Sequence, residues 1–552
     1  MRSFSEIQNQ SYDLIVIGGG INGAGIARDA ALRGLKTILI EKGDFASGAT
    51  SCPSRLIHGG LRYLEYFEFN LVRESLRERE VLLHTAPHLV QPLQLSIPIY
   101  AGGARPYRII QAGMILYDLL SYDKTVPSHR MLSRGQVRQL FRSLNPKALK
   151  GAAQYYDAQV VYAERLCLEN ILSAQAAGAT VLNYVQVTGL KRGANCIDAI
   201  ACNDELTGEA FTITAGKQTV VANTAGSWVD QVLKLSDKPI RAKPLMGGTK
   251  GSHIIVPRFP GAPDTAFYVE AASDNRPFFI IPWLDRYLIG TTDLPYDGDL
   301  DQVKANNSEI EYLLAETNRT VPTANLTPAD VLYTYSGVRP LPYTDAQTPS
   351  SITRKHILHD HASEGVENLI SLIGGKWTTY RQVGEEYVDA AYRKLGRPVP
   401  PCHTRKKPLP GAMDQTDIIR ADAVAQYQSR LPLAAIDHVF SLYGAKATEV
   451  LALTEKSSDL SEPIVPNLLD IKAQVVYAVE TELAHTLVDI CCRRTLIAMQ
   501  GQYGFDALPA ITETLQKHCG WSQEECDRQV TAYRTHVETH YQPDYALVGS
   551  QA

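Results

Sequence analysis

The residues between Gly18 and Glu41 have the types and spacing to hold a dinucleotide. In Gly18-Gly-Gly20-Ile-Asn-Gly23 the missing side chains do the work. Gly18 allows a tight turn, Gly20 lets backbone approach a pyrophosphate, and Gly23 lets a helix pack on a strand. The pyrophosphate then lies at the positive end of that helix's dipole. Glu41, 18 residues past Gly23, is placed to accept hydrogen bonds from the hydroxyls of an adenosine ribose. The fingerprint alone does not separate NAD from FAD.

These residues need a strand–turn–helix–strand unit to position them, and the flanking sequence supplies one. Tyr12-Asp-Leu-Ile-Val-Ile-Gly reads as a buried strand because its apolar run is continuous. Ala24 to Arg33 has the Ala-rich periodicity of a helix closed by Gly34, and Lys36-Thr-Ile-Leu-Ile40 is a second buried strand ending at Glu41. Further on, helices are expected at about Leu71–His84 and Ala163–Ala177, and short strands at Gly251–Pro257, Pro277–Ile281 and Tyr287–Gly290. The proline-rich stretch 398–411 reads as a linker, separating residues 1–397 from a helical region at 412–552. Long helices are expected there at Asp470–Met499 and Ser522–His540, the second opening with the capping box Ser522-x-x-Glu525. There are no internal repeats and no low-complexity segment.

The segment after Glu41 narrows the cofactor. The run from Glu41 through Ala46-Ser-Gly-Ala-Thr-Ser51 to His58-Gly-Gly-Leu-Arg-Tyr63 resembles the signature of the FAD-dependent glycerol-3-phosphate dehydrogenases. Lys250-Gly-Ser-His253, Gly290-Thr-Thr-Asp293, Ser336-Gly-Val-Arg-Pro-Leu341, Ile352-Thr-Arg354 and Gly374-Gly-Lys376-Trp-Thr-Thr-Tyr-Arg381 match the same family in its order. The resemblance runs from about residue 12 to about 385, and the helical tail is similar to the family's C-terminal domain with less specific residues. It implies an α/β fold: an FAD-binding two-dinucleotide-fold domain, Rossmann-like and of the glutathione-reductase type, interwoven with a β-rich substrate domain, then an all-α C-terminal domain.

The cofactor contacts expected from these motifs, besides Gly18, Gly20, Gly23 and Glu41, are Asn22, Lys42, Ser47, Thr50, Ser51, His58, Gly59, Gly226, Asp293, Gly375, Lys376, Thr378 and Thr379. The chemistry agrees. Reduced flavin gathers negative charge along one ring edge, and a Gly-Gly-Lys-x-Thr-Thr loop offers backbone N–H groups, an ammonium and hydroxyls. The small residues 46–51 offer hydroxyls and close backbone approach to diphosphate and ribityl groups.

The resemblance also implies substrate contacts at Arg62, Tyr63, Arg339, Arg354 and Lys376. Guanidinium forks suit a phosphate dianion, which they meet in-plane and bidentate while staying charged. Oxidising a secondary alcohol also needs a proton acceptor. His253, in Lys-Gly-Ser-His, is the expected base, with Arg339 sharing the proton handling.

The implied reaction takes sn-glycerol 3-phosphate to dihydroxyacetone phosphate, with electrons passing through FAD to membrane quinone. An oxidase releasing hydrogen peroxide is the nearest alternative, and a non-catalytic or RNA-modifying flavoprotein a more distant one. A membrane contact is expected at residues 105–120, where Arg105 and Arg108 precede an apolar helix whose Ile109, Gly113, Leu116, Tyr117 and Leu120 share a face. Burial of that helix in the core is the competing reading.

Composition sets the outer limits. The 552 residues carry a net charge of −5, which argues against a nucleic-acid partner. No window reaches the ~18 consecutive apolar residues needed to span a bilayer, and Leu14–Ile17 is too short for a signal-peptide core. The cysteines number nine, an odd count, with no C-x-x-C pair, so neither a disulfide framework nor a metal site is expected. The location expected is cytoplasmic, peripheral on the inner face of the cytoplasmic membrane, with a homodimer one open assembly.

Overall fold

The computed structural model describes residues 4–344, 352, 354–412 and 415–545. Thr353, in the Ile352-Thr-Arg354 motif, lies outside the described residues.

The first sheet is the nucleotide-binding one. Its order is Ile357–Asp360, Leu369–Ile373, Val220–Asn223, Leu14–Ile17, Thr37–Ile40, Thr180–Leu182, parallel except for the Ile357–Asp360 edge. Leu14–Ile17 and Thr37–Ile40 are buried at every position, as strands covered on both faces must be. The Ile21–Leu32 helix covers them, and its small Ala24, Ala27 and Ala30 let it pack against the Ala163–Ala176 and Tyr380–Lys394 helices.

A ten-stranded mixed sheet forms the second layer. Met246–Pro257 pairs there with both Arg286–Gly290 and Tyr333–Pro342, setting His253 opposite Gly290 on one side and Tyr335 on the other. The expected strands at 251–257, 277–281 and 287–290 all appear, slightly longer. So do the helices, as Phe69–Thr85 and Ala163–Ala176.

The helical tail departs from expectation. Residues 470–499 do not form one helix; they break into Lys472–Glu480, Leu487–Asp489, a π-turn at Ile490–Arg494 and a 3-10 turn at Ile497–Met499, with Leu483 and Leu496 left-handed. Helical periodicity treats Glu482, Asp489, Arg493 and Arg494 as outward-facing, yet all four are buried and paired across the fold. Arg493 Nε and Arg494 Nη1 meet Asp44 Oδ2 at 2.5 and 2.8 Å, and Arg165 grips Glu482 at 2.6 Å. A regular helix could not aim these charges inward together. At Ser522 only half the capping box forms: Ser522 Oγ accepts the Glu525 N–H, while the Glu525 carboxylate turns to Arg528 and Gln529.

The 398–411 stretch is irregular but fastened. Arg28 donates to the carbonyls of Lys407 and Pro408, Arg33 to that of Pro400, and Leu409 N–H to Thr85 O. One apolar core runs from Val16 and Leu39 through Leu166 and Ile171 to Ile436, Ile490 and Leu515. No helix of the described residues is long and apolar enough to cross a membrane.

Candidate active site

A cavity of ≈ 830 Å³ lies between the two sheets. At one end are the glycine turn and Glu41; at the other, His253, four arginines and Lys376. That is at the upper end of the volumes typical of small-molecule sites.

The glycine turn is built as its sequence requires. Gly18 has φ +111°, and a Cβ there would meet Thr224 O at 2.7 Å. A Cβ on Gly23 would fall 1.9 Å from Gly18 O, so Gly23 serves helix-on-strand packing and does not face the cavity. Ile21 N–H at the helix start donates to Thr50 Oγ1 at 3.0 Å, joining the turn to the 46–51 run. The Glu41 carboxylate accepts from Gly19 N–H at 2.6 Å and Gly43 N–H at 2.9 Å, and burial pushes its pKa up despite those bonds.

Most of the expected cofactor residues line this space: Gly18, Gly20, Asn22, Glu41, Lys42, Ser47, Thr50 and Gly226 on the dinucleotide side, His58, Gly375, Lys376 and Thr378 on the other. Ser51, Gly59 and Thr379 stand behind the wall as supports. Ser51 Oγ donates to Gly48 O, Gly59 N–H to Tyr117 Oη at 2.9 Å, and Thr379 Oγ1 to Lys376 O. Asn22 Oδ1 is buried with no partner among the described residues, on a wall with backbone but no side chain at Gly18, Gly20 and Gly375. An orphaned acceptor beside a side-chain-free cradle fits a polar dinucleotide such as FAD.

Asp293, expected as a cofactor contact, also lines the cavity. It sits beneath the arginines, not on the dinucleotide arm. Arg339 Nη1 meets its Oδ1 at 2.6 Å, Arg276 donates to both its carboxylate and its carbonyl, and Arg354 Nη2 stands 3.9 Å from Oδ2. Arg62 joins them in the wall; its Nε and Arg354 Nη1 are buried with no partner among the described residues. Arg276 was not anticipated from sequence; its setting, Asn275-Arg-Pro277, looks like a hairpin turn. Four guanidinium groups and Lys376 share the wall with Asp293, while Asp274 and Glu68 act on Arg276 and Arg354 from behind it, so positive charge predominates at this end of the cavity. Burial, then Arg354 and Arg276, push the Arg339 pKa down to about 9.

His253 is buried beside them. Its Nε2 lies 2.8 Å from Ser54 Oγ, its Nδ1 has no partner among the described residues, and its ring stacks on Tyr335 at 4.8 Å. Burial first, then Arg339 and Arg55, push its pKa down to about 3, so the ring is neutral. His58, edge-on to Phe279, is likewise held neutral at about 3 by burial and Lys376. Lys376 Nζ donates to Ser75 Oγ at 2.7 Å and Gly59 O at 3.2 Å and lies 4.7 Å from the Tyr63 ring centre. Burial brings its pKa down to about 7.

Away from the cavity, His359, His361 and Glu364 bring their ligand atoms within 4.8 Å of one another. Arg241 donates to Glu364 at 2.9 Å and to His359 Nε2 at 3.1 Å, supplying the positive charge a cation would bring.

Comparisons with known proteins agree with this geometry. Residues 13–381 match the family described as FAD dependent oxidoreductase, and residues 402–526 match the C-terminal domain of alpha-glycerophosphate oxidase. The chain is 62% identical over 554 residues to a glycerol-3-phosphate dehydrogenase of Synechocystis, covering 99% of this chain and 100% of that one. It is 33% identical to the human mitochondrial glycerol-3-phosphate dehydrogenase, covering 96% of this chain and 73% of that one. The crystal structure of the Bacillus halodurans glycerol-3-phosphate dehydrogenase complexed with FAD superposes with a TM-score of 0.77 at 28% identity, covering 97% of this chain and 96% of that one. The expected fold class, cofactor and enzyme class are therefore borne out: the chain belongs to the FAD-dependent glycerol-3-phosphate dehydrogenases, within the FAD-dependent oxidoreductase family.

Proposed function

We propose that the chain oxidises sn-glycerol 3-phosphate at C2 to dihydroxyacetone phosphate and delivers the electrons to a quinone at a membrane surface. The observation that carries the substrate is the surplus of guanidinium charge around Asp293, beside a neutral buried histidine. A phosphate monoester, a dianion at neutral pH, is the kind of anion this charge and these forked donors suit. Arg62 Nε and Arg354 Nη1, which lack partners among the described residues, are donors open to it.

The chemistry supplied by bound FAD is acceptance of the C2 hydride. His253 takes the hydroxyl proton. With Nε2–H donating to Ser54 Oγ, Nδ1 is left as the acceptor a base requires. Dianion binding offsets the Arg339 charge that holds the ring's proton affinity down, so substrate strengthens its own base. Lys376 would place its ammonium beside the flavin when FAD is bound. Glu41 and the glycine turn would hold the adenosine half, and Ser47, Thr50 and the Asn22 amide N–H the diphosphate.

Electron delivery is supported by an apolar surface close to the pocket. On the Tyr107–Leu120 helix Tyr117 and Met114 turn inward, while Ile109, Ile115 and Leu119 are 62%, 48% and 66% exposed. The outward face therefore differs from the Ile109–Leu116–Leu120 stripe expected, because Tyr117 Oη is pulled in by Asp157 at 2.8 Å. Phe67, 77% exposed, comes directly after the Leu61–Tyr66 turn that carries Arg62 and Tyr63, and Glu65 ties that turn to Arg105. Arg105 is thus committed within the fold, and Arg108 is the exposed cation of the pair. Exposed aromatic and aliphatic side chains beside a cation suit a lipid interface.

The test is anaerobic: glycerol 3-phosphate should bleach the flavin, and quinone in vesicles should restore its colour faster than air does. An Ile115→Asp, Leu119→Asp variant should keep dye-linked activity and lose vesicle binding and quinone reduction. Peroxide formed as fast as quinone is reduced would replace the dehydrogenase reading with the oxidase one.

A further inference from the structure

We infer that the C-terminal helical region is part of the cofactor site: His536 and His540, on its last helix, contact bound FAD on the dinucleotide arm of the cavity. This rests on that cavity being the FAD site.

The Gln523–His540 helix brings His536 and His540 into the cavity wall with Tyr541, beside Asp301 and Val303. Asp301 accepts from Lys42 Nζ at 2.6 Å and Trp228 Nε1 at 3.1 Å, which places this wall next to the Glu41 end. The helix end is fixed there from three sides. Tyr541 stacks on Tyr333 at 4.7 Å, its carbonyl accepts from Thr334 Oγ1 at 2.8 Å, and Lys304 Nζ reaches Glu538 O at 3.0 Å. Two residues along the same strand, Tyr335 stacks on His253, so one strand carries both the clasp and the base's support.

The two imidazole rings lie 4.4 Å apart. Burial, then the neighbouring His540, pushes His536 down to about 3. His536 Nε2 lies 3.4 Å from Tyr541 Oη and His540 bonds the Val303 backbone; these contacts orient the rings, and each keeps a second ring nitrogen that can serve phosphate or ribityl oxygens. The Asp44 network gives a second hold. Asp44 lies between Glu41 and the 46–51 run, and Arg493 and Arg494 fix it from the same helical region. Both sides of the dinucleotide arm are thus anchored to the tail.

FAD binding to the apoprotein, followed by quenching of flavin fluorescence, tests this in the full-length chain. A His536→Ala, His540→Ala variant should bind FAD about tenfold more weakly, as expected for a lost hydrogen bond to a charged group, with its apoprotein melting temperature unchanged. Thr531→Ala, on the exposed side of the same helix, should bind FAD as the parent does. Unchanged FAD affinity in the double variant overturns the inference. So does a loss that is matched by lower apoprotein stability and is reversed by cooling, because the helix then serves folding alone. Gly20→Val separates the premise: if it leaves FAD affinity intact, the cavity itself is misassigned, whereas weakening by Gly20→Val alone removes only the clasp.

Discussion

Replacing Arg354 with alanine should weaken glycerol 3-phosphate binding while leaving the fold intact. Arg354 Nη2 stands 3.9 Å from Asp293, beyond hydrogen-bonding distance, and its Nη1 has no partner among the described residues. Its charge is therefore only partly offset, by Asp293 and Glu68 at a distance. Asp293 keeps Arg339 and Arg276 after the substitution, so no buried carboxylate is stranded. A hydrogen bond to a charged group is worth about 1.5–3 kcal/mol, or about 10- to 150-fold in affinity. The assay is steady-state turnover with a dye acceptor, using glycerol 3-phosphate and, for comparison, glycerol. KM for the phosphate ester should rise by that factor with kcat changed far less, while kcat/KM for glycerol stays within about twofold of the parent. Arg276→Ala is the contrast. That guanidinium is committed to both the carboxylate and the carbonyl of Asp293, so its loss should lower the melting temperature as well. An unchanged KM in Arg354→Ala, or an equal loss with glycerol, would refute the phosphate role.

The buried histidines set an acid limit on the FAD-free protein. His58, His253 and His536 each sit at about 3 when folded against about 6.5 unfolded. The unfolded chain binds the extra protons, so their contribution is complete above pH 6.5 and lost as pH falls toward 3, at about 1.4 kcal/mol per unit for each. Urea melts between pH 6.5 and 5 should show that slope, and His253→Gln should flatten it by one histidine's share; an unaltered slope contradicts the assignment. Lys376, held at about 7, loses its ammonium as pH rises through that value. Stopped-flow bleaching should therefore slow above pH 7 in the parent and be slow and flat in Lys376→Met, and a variant that keeps the parent's slope rules out the ammonium as its cause. Asp44→Asn leaves Arg494 beside a neutral amide and Arg493 with Asp489 alone, and should cost about 3–5 kcal/mol of stability; chemical denaturation that shows no such loss would mean the clamp is idle.

The dinucleotide unit was legible in the sequence because its determinants are local. Glycines at 18, 20 and 23, two β-branched runs and Glu41 lie within some thirty residues, and each feature names its own backbone conformation. His253 and the arginines were legible as motif members, but not their mutual arrangement. Asp293 joins Arg339 only through the pairing of Met246–Pro257 with strands on either side, a long-range contact with no local trace. Arg276 was hidden by turn residues that explain themselves without a ligand. The tail was misread at 470–499 because periodicity assumes that charges face water, and there a network of buried ion pairs overrides it. His536 and His540 carry no signal in sequence, since a helix bearing His at i and i+4 looks the same on a surface as against a cofactor.

Asp293 also bears on the ligand's own titration. A carboxylate already resident among the arginines absorbs one unit of their charge, so a singly charged ester finds less field to bind than a doubly charged one. A phosphate monoester dianion takes up one proton near pH 6, its second pKa, and becomes a monoanion. Saturation should then become harder below that value even where no side chain of the pocket changes its protonation, and part of the acid limb of the KM profile belongs to the substrate. A phosphonate analogue with a higher second pKa would move that limb upward, while the enzyme's own transitions stayed where they are.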